Sequence, residues 1–404
     1  MKRLALKFGG TSVGTLNKIR AVANIIKKRH EEGNELIVIV SAMSGVTNDL
    51  IKKSNLISKN FDPAEKDVLL SSGEQVSSSL LSGAIIELGI KARSWLGWQI
   101  PILTDNNHTL SAIQKIKTEE ILKFISNKGV AVIAGFQGIS NNNRITTLGR
   151  GGSDLSAVAV AKFFNTDSCE IYTDVEGVLT TDPSIHDKAK KIDKISYEEM
   201  LEMSSLGAKV MQPSAVQASM VNDIPIHVKS TFSEKSGTKI VAETDIDHKK
   251  SVTGIAYSKN NAKVSIVGVV DKPGVAADVF EPIGKNNINI DMVIQNTSLD
   301  GKTANITFTI KQDDLNKTLS ILEENKKKIN YNKVTHNDKL AKVSIVGAGM
   351  IASPGVTHKM FRSLANENIN ILAISTSEIK ISVLIQEELT QKAVKILHKT
   401  FELN

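Results

Sequence analysis

The chain is short of cysteine, aromatic residues, long apolar runs and arginine, and each shortage narrows what it can be. A single cysteine in 404 residues, Cys169, excludes an intramolecular disulfide and any cysteine-rich zinc site. Aromatics make up 4%, so a core must be mostly aliphatic. No stretch reaches the ~20 consecutive apolar residues of a spanning helix. The start, Met1-Lys-Arg-Leu-Ala-Leu-Lys7, imitates a charged leader, but Lys7 ends the apolar run too early for a signal peptide. These absences predict a cytoplasmic protein with no membrane partner. Seven of the 50 basic residues are arginine, and the lysines sit singly or in short runs such as Lys326-Lys327-Lys328. A nucleic-acid binder more often clusters its basic groups and uses arginine forks, so nucleic acid is not an expected partner. A net charge of +7 suits anionic small substrates equally well. The eight histidines show no paired-ligand spacing, and no protein-held metal site is expected.

What is present is ordinary for a globular chain of two to four domains: 41% hydrophobic and 23% charged residues. The first 230 residues alternate strand-like and helix-like segments. Leu4 to Phe8 reads as a strand before a Gly-Gly turn. Ile19, Val22, Ala23 and Ile26 then fall at i, i+3, i+4 and i+7, the stripe of an amphipathic helix. Leu36–Val40 is an unbroken apolar run, as in a strand buried on both faces. Val130–Ala134 and Cys169–Thr173 repeat the strand pattern, and Leu155–Phe164 the helical one. The reading is α/β, a largely parallel open sheet with its ligand crevice at the strands' C-terminal ends.

The remainder is a duplication. Lys263-Val-Ser-Ile-Val-Gly268 recurs as Lys342-Val-Ser-Ile-Val-Gly347, Pro273-Gly-Val275 as Pro354-Gly-Val356, and Asn287-Ile-Asn-Ile290 as Asn368-Ile-Asn-Ile371. Each copy reads strand, helix, strand, strand, helix, with further strands at Asn305–Ile310 and Ile379–Ile385 and closing helices at Leu315–Glu323 and Leu389–Phe401. Polar residues 243–250 form the expected linker. Two repeats sharing one sheet would leave a cleft between pseudo-equivalent surfaces. Gly347-Ala-Gly349-Met-Ile-Ala352 spells a dinucleotide fingerprint, but its sister copy lacks the glycines, so the match reads as a by-product of the repeat.

Several segments could carry chemistry. Lys7-Phe-Gly-Gly-Thr-Ser12 joins the first strand to the first helix: glycines let the backbone approach a ligand, a helix N-terminus offers free N–H groups, and Lys7 could neutralise a phosphoryl group. It is not a Walker A loop. Gly149-Arg-Gly-Gly-Ser-Asp154 opens the helix at Leu155. Ser153 there reads as an N-cap, whereas Arg150 among three glycines suits a bidentate grip on carboxylate or phosphate. Ser41-Ala-Met-Ser-Gly45 with Thr47, and Ser72-Gly-Glu-Gln75 opening another helix-like segment, would suit a zwitterion, with Glu74 pairing its ammonium; ordinary turn and cap chemistry explains the same residues. Tyr172-Thr-Asp174 ends a strand where a carboxylate is well placed for catalysis or nucleotide contact, and Asp182-Pro183 reads also as a plain turn.

Together, Lys7-Phe-Gly-Gly-Thr-Ser-Val13, Val40-Ser-Ala-Met43, Ser72-Gly-Glu74, Thr147-Leu-Gly-Arg-Gly-Gly-Ser-Asp154 and Tyr172-Thr-Asp-Val175 resemble the signature segments of aspartate kinase, in the family's order, and the duplicated tail resembles its paired ACT domains. The resemblance implies an amino-acid-kinase open sheet with helices on both faces over 1–245, then ferredoxin-like α+β ACT modules over 251–330 and 331–404. It implies transfer of the γ-phosphoryl of ATP, with Mg²⁺ carried on the nucleotide, to the β-carboxylate of L-aspartate. That step opens the route to lysine, threonine and methionine. By motif match, Lys7 and Asp174 are the catalytic pair; Lys7, Phe8, Gly9, Gly10, Ser41, Thr173, Asp174, Val178, Leu179, Thr180, Thr181, Asp182, Pro183 and Lys209 line the nucleotide. Thr47, Glu74, Arg150, Gly151, Gly152, Ser153 and Asp154 hold aspartate. The resemblance further implies effector sites for lysine, threonine or both, at Asp271, Lys272, Pro273, Gly274, Val275, Ala276, Asn289, Ile290, Asp291 and Gln295, and at Val356, Thr357, Asn370, Ile371, Ser377 and Glu378, with a homodimer or higher oligomer formed through the ACT modules.

One departure stands out: His108-Thr-Leu-Ser-Ala-Ile113 lacks the arginine the family often carries after its His-Thr pair. No homoserine dehydrogenase domain follows the second repeat, so the monofunctional form is expected. Two alternatives share these features. Another amino-acid kinase, acting on glutamate, acetylglutamate, carbamate or a nucleotide, is disfavoured by the ACT tail and by the Glu74 and Arg150 segments. A non-catalytic amino-acid sensor is disfavoured by intact Lys7, Asp174 and Arg150. A phosphoryl-acceptor screen separates the two enzyme readings, and binding of lysine or threonine without ATP turnover would favour the sensor.

Overall fold

A computed structural model describes residues 1–207, 210–246, 250–298 and 301–403. The chain divides into two compact units, Met1–Leu179 with Lys191–Asp247, and Thr180–Lys190 with His248–Asn404.

The first unit is built on an eight-stranded sheet. Its central strands are β1 (Arg3–Phe8), β2 (Glu35–Val40), β6 (Val130–Ala134) and β9 (Ser168–Thr173), extended by β3 (Ala92–Trp95) beyond β6 and by β11 (Ile226–Ser230), β12 (Thr238–Val241) and β10 (Lys194–Ser196) beyond β9. Every pairing is parallel except β11 with β12. The runs read as strands are these strands, buried on both faces as β-branched, unalternating sequence demands. Register aligns Phe8 with Val40 and with Tyr172, and Val40 with Ala134, so the chain leaves the sheet at residues 9, 41, 135 and 173 along one edge. A second, four-stranded sheet, β5 (Ile113–Ile116), β4 (Ile102–Thr104), β7 (Gln137–Ser140) and β8 (Ile145–Thr147), supplies the hairpin β4–β5 and the strand that feeds Arg150.

Helix α1 (Leu16–Glu31) buries Ile19, Val22, Ala23 and Ile26, the expected stripe. It starts later than the Gly-Gly turn suggested: Thr15 is its N-cap, accepting from Lys18 N, and residues 9–14 form a separate turn held by Gly9 N donating to Tyr172 O and Ser44 N donating to Gly10 O. Helix α2 (Val46–Ile57) follows the second strand. Helix α3 (Pro63–Glu87) is 25 residues long, with Asp62 capping it by accepting from Ala64 and Glu65 N–H. Ser72-Gly-Glu-Gln75, read as a helix start, therefore lies inside α3, where Gly73 lets the helix close on Ala42: a Cβ at Gly73 would come within 2.8 Å of the Ala42 Cβ. Helix α4 (Glu119–Ser126) leads into β6, α5 (Gly152–Phe163) follows the Arg150 turn, and α6 (Tyr197–Ser205) and α7 (Pro213–Val221) pair near the C-terminal side of the unit.

The second unit holds both repeats on one antiparallel sheet, in the order β14 (Val293–Thr297), β15 (Thr303–Lys311), β13 (Gly254–Val270), β16 (Lys333–Val346), β18 (Lys380–Gln386) and β17 (Ala373–Thr376). The two central strands are long and exchange halves. Gly254–Ser258 pairs with Lys342–Val346, and Lys263–Val267 with Lys333–Asn337, across a register shift near Asn261. Two cores result. One gathers Val264, Ile266 and Phe308 with α8 (Val275–Lys285), α9 (Leu315–Glu324) and α10 (Lys326–Ile329). The other gathers Val343, Ile345 and Val383 with α11 (Val356–Asn366) and α12 (Thr390–Thr400). In the dinucleotide-like fingerprint, the chain's own backbone fills the glycine gaps: a Cβ on Gly347 or Gly349 would meet Ser251 O or Lys250 O at 2.4 Å. In the expected linker, Glu243–Asp245 forms a 3₁₀ turn, and residues 247–249 lie outside the described residues.

Candidate active site

A cleft of about 810 Å³ opens on the C-terminal sheet edge of the first unit. Lys7, Gly10, Ser41, Thr47, Glu74, Arg150, Gly151, Gly152, Ser153 and Asp154 all line it, although they come from four separate stretches of sequence. Lys7 is the next-to-last residue of β1. Its Nζ lies 2.6 Å from Asp154 Oδ1, and the two side chains are only 11% and 10% exposed. Gly10 is obligatory, since a Cβ there would stand 2.8 Å from Ala42 O.

Two helix N-termini face this cleft without side-chain caps. Helix α2 begins after Gly45 (φ +87°) and α5 after Gly151 (φ +74°). Ser153, read as a cap, is instead inside the first turn of α5, because left-handed Gly151 takes the capping position and has no side chain to satisfy the first N–H groups. Uncapped N–H groups and the helix dipole favour an anion. Arg150 lies between two left-handed glycines, exposed, and among the described residues no hydrogen bond or ion pair engages its guanidinium.

Glu74 supplies the opposite sign. It projects from the middle of α3, 3% exposed, with Oε1 accepting from Ala42 N at 3.0 Å and Oε2 buried without a hydrogen-bond partner among the described residues. Burial pushes its carboxyl up to about 7, against the smaller downward pull of backbone N–H donors. Below that value the free site holds Glu74 protonated; an arriving ammonium would ionise it. Binding of an amino acid at pH 6 is therefore expected to release about 0.9 proton per site, and at pH 8 close to none, with KM rising as pH falls below about 7. Calorimetric titration in buffers of different ionisation enthalpy reads this directly, and heat independent of buffer at pH 6 would contradict it.

The other expected residues fall elsewhere. Phe8 is fully buried and stacked on Tyr172 at 4.7 Å, so a ligand at that edge meets only its backbone. Gly9 places its missing Cβ 3.5 Å from Lys7 Nζ. Thr173 and Asp174 leave β9 on the same sheet edge, Thr173 Oγ1 donating to the exposed Asp174 at 3.2 Å, but neither lines the cleft. Val178 is buried and its N–H donates to Thr238 Oγ1; Leu179 bridges to Lys191. Thr180, Thr181, Asp182 and Pro183 belong to the second unit. There Thr180 Oγ1 lies 2.8 Å from His398 Nε2, Ile255 N donates to Thr180 O, and Asp182 accepts from Tyr257 Oη at 2.9 Å. Local sequence cannot reveal this, since the partners are 75 and 218 positions away. Lys209 lies outside the described residues.

In the repeats, Asp271, Lys272, Pro273 and Gly274 form an exposed turn ahead of Val275, with Asp271 accepting from Thr297 Oγ1. Asn289 and Gln295 are exposed, and Ala276 is half-buried. Thr357, Asn370, Ser377 and Glu378 are likewise exposed in the second copy. Val275 and Val356 turn into their module cores, where Ile290 and Ile371 also pack, so their side chains serve packing. Asp291 is engaged by Lys342 from β16, a contact that joins the two copies.

Sequence reasoning did not assign to the site Phe136, Thr147, Lys66 and Leu110, which are among the other residues lining the cleft, or Asp67 behind it. The signal for Asp67 was present: it precedes Glu74 by seven residues, two helical turns, on the same face of α3. Cys169 is inert, buried in β9 with its thiol pushed up to about 12 by burial.

Residues 2–230 match the amino acid kinase family, and residues 264–325 and 343–401 match the ACT domain. An aspartate kinase of Stutzerimonas stutzeri is 45% identical, with 100% of this chain aligned to 98% of that protein. The crystal structure of Clostridium acetobutylicum aspartate kinase superposes with a TM-score of 0.83 at 26% identity, covering 99% of this chain and 100% of that one. That of E. coli aspartokinase III in complex with lysine and aspartate (T-state) does so with a TM-score of 0.78 at 25% identity, covering 99% of each.

Proposed function

The chain belongs to the aspartate kinase family, a phosphotransferase with ACT domains, and on that premise we propose how its residues divide the reaction. L-Aspartate binds with its α-ammonium on Glu74 and its α-carboxylate on Arg150, and Mg-ATP directs its phosphates to Lys7 and the glycine turns. The observation that carries this assignment is the buried Glu74 Oε2, unpartnered among the described residues, in a cleft that also holds Lys7, Arg150 and two uncapped helix starts.

A β-carboxylate oxygen attacks the γ-phosphorus, and the bond to the bridging oxygen of ADP breaks. The nucleophile is already ionised near pH 7, so no base need take a proton. Bringing an anion to a polyanion then becomes a matter of positioning and charge neutralisation, which Lys7 and the N–H groups of α2 and α5 are suited to supply. Asp174, on the same sheet edge, fits a role toward the nucleotide's metal ion, and Thr180, Thr181, Asp182 and Pro183 are further candidates for nucleotide contact.

The ACT pair supports feedback control. The E. coli relative holds lysine and aspartate together, and the exposed strand-to-helix turns at Asp271–Gly274 and Pro354–Gly355 are where an amino-acid effector would dock in this chain. A homodimer or higher oligomer through these modules, in the cytoplasm, is part of the same proposal. Inhibition requires an effector to favour one of two states, since equal affinity for both would shift nothing. The test is ADP release from Mg-ATP with L-aspartate against L-glutamate, each with and without lysine plus threonine. Aspartate-dependent turnover suppressed by the effectors is the expected result. Turnover without suppression overturns the regulatory half, and no turnover with aspartate overturns the substrate.

A further inference from the structure

Behind the cleft lies a carboxylate that the reaction does not use. Asp67 sits in the second turn of α3, 0% exposed. Three segments meet there, its own helix and two others. Thr147, the last residue of β8, donates from Oγ1 at 2.5 Å. At the tip of the β4–β5 hairpin, His108 places Nδ1 2.7 Å from Oδ2, and Thr109 donates its backbone N–H at 3.1 Å to both oxygens. The hairpin tip is tied to β8 as well, Ser111 N donating to Thr147 O at 3.0 Å. Thr109 is held at φ +69°, a left-handed backbone that a β-branched residue adopts only when its surroundings impose it.

Each segment leads to the substrate cleft. Seven residues along α3 stands Glu74, three residues beyond Thr147 stands Arg150, and next to Thr109 the exposed Leu110 lies against Gly149, where a Cβ would come within 2.7 Å of its Cδ2. Thr109, Leu110 and Thr147 themselves line the cleft. We infer that Asp67 is a positioning residue for the amino-acid substrate: by clamping the hairpin tip and the end of β8 onto α3, it sets the separation between Glu74 and Arg150 and holds Leu110 over the site. The inference rests on the reading that those two residues grip the ammonium and carboxylate of aspartate. A zwitterion has two charges a fixed distance apart, so a shift of about an ångström between its two partners is costly. Buried charge-assisted hydrogen bonds are the interactions stiff enough to prevent one.

Asp67→Asn keeps the volume and one acceptor oxygen but loses the charge. Its expected result is an aspartate KM about tenfold higher, with kcat and the KM for ATP within about threefold of wild type, the pattern of lost substrate binding without a lost chemical group. The second arm is His108, whose side chain is 20% exposed, against 0% for Asp67. His108→Ala raises the aspartate KM about fivefold, and His108→Asn, whose amide can donate where the ring nitrogen does, restores it. A merely structural clamp would lower thermal stability without that selective split and would not be rescued. Folded Asp67→Asn with an unmoved aspartate KM, or a parallel loss in both substrates, overturns the inference alone. If Asp67→Asn does not fold, the His108 pair decides in the same way. Wild-type protein that releases no ADP with aspartate overturns the parent reading and this inference with it.

Discussion

Replacing Lys7 with alanine lowers kcat for aspartate-dependent ADP release about 10³-fold, while the aspartate KM moves within a few fold. The magnitude is that of removing one pre-placed charge from a developing phosphoryl transition state. The pre-placement is visible: β1 carries Lys7 to the sheet edge between Ile39 and Ile171, and Asp154 holds the ammonium at 2.6 Å. The same ion pair confounds the simple experiment, because Lys7→Ala strands Asp154 in a site where it is 10% exposed. An uncompensated buried carboxylate costs about 3 kcal/mol or more, so Tm also falls, by roughly 5–10 °C. The double variant Lys7→Ala with Asp154→Asn removes the stranded charge. It is expected to recover most of the Tm and none of the turnover. Near-normal kcat in either variant would remove Lys7 from the phosphoryl site.

Replacing Arg150 with alanine has the opposite signature: the aspartate KM rises about 100-fold and Tm stays within about 1 °C. The guanidinium is exposed, flanked by glycines, and unengaged among the described residues, so the fold loses nothing with it. A bidentate guanidinium–carboxylate pair contributes about 2–3 kcal/mol, which is close to two decades of affinity. Arg150→Lys keeps the charge but not the planar fork, and recovers a minor part. A Tm drop with unchanged KM would make Arg150 a structural residue and leave the carboxylate without its partner. The two variants thus separate the group that serves chemistry from the group that serves binding, by which constant each one moves.

Much of this architecture is readable along the chain because its signals are local. Leu36–Val40 and Val130–Ala134 announce buried parallel strands by composition alone, and Ile19, Val22, Ala23 and Ile26 mark the buried face of α1 by spacing. The tail's duplication is legible because the same unit of strand, helix, strand, strand and helix solves the same packing problem twice. Misreadings cluster where a local signal had two causes. Ser72-Gly-Glu looks like a turn because glycine is common in turns, yet Gly73 is there so that α3 can touch Ala42. Ser153 looks like a cap, but the left-handed glycine two residues earlier takes that position.

By itself, the sequence determined the α/β class, the two-copy tail, the family and ten of the residues that line the cleft, since these depend on residue type and short spacing. Tertiary structure alone decided which of those residues share a cleft and what each is free to do. It buried Glu74 Oε2 without a partner among the described residues, paired Lys7 with Asp154 across 147 positions, drew Thr180–Pro183 into the other unit, and assembled Asp67 with partners 41 and 80 residues away. Contacts of that span arise from how strands order and helices dock, and no periodicity along the chain encodes them. A carboxylate's neighbours set what it is free to do: of Asp67 and Glu74, two turns apart on one helix, the first is enclosed by hydrogen-bond donors and the second keeps one oxygen without a partner among the described residues.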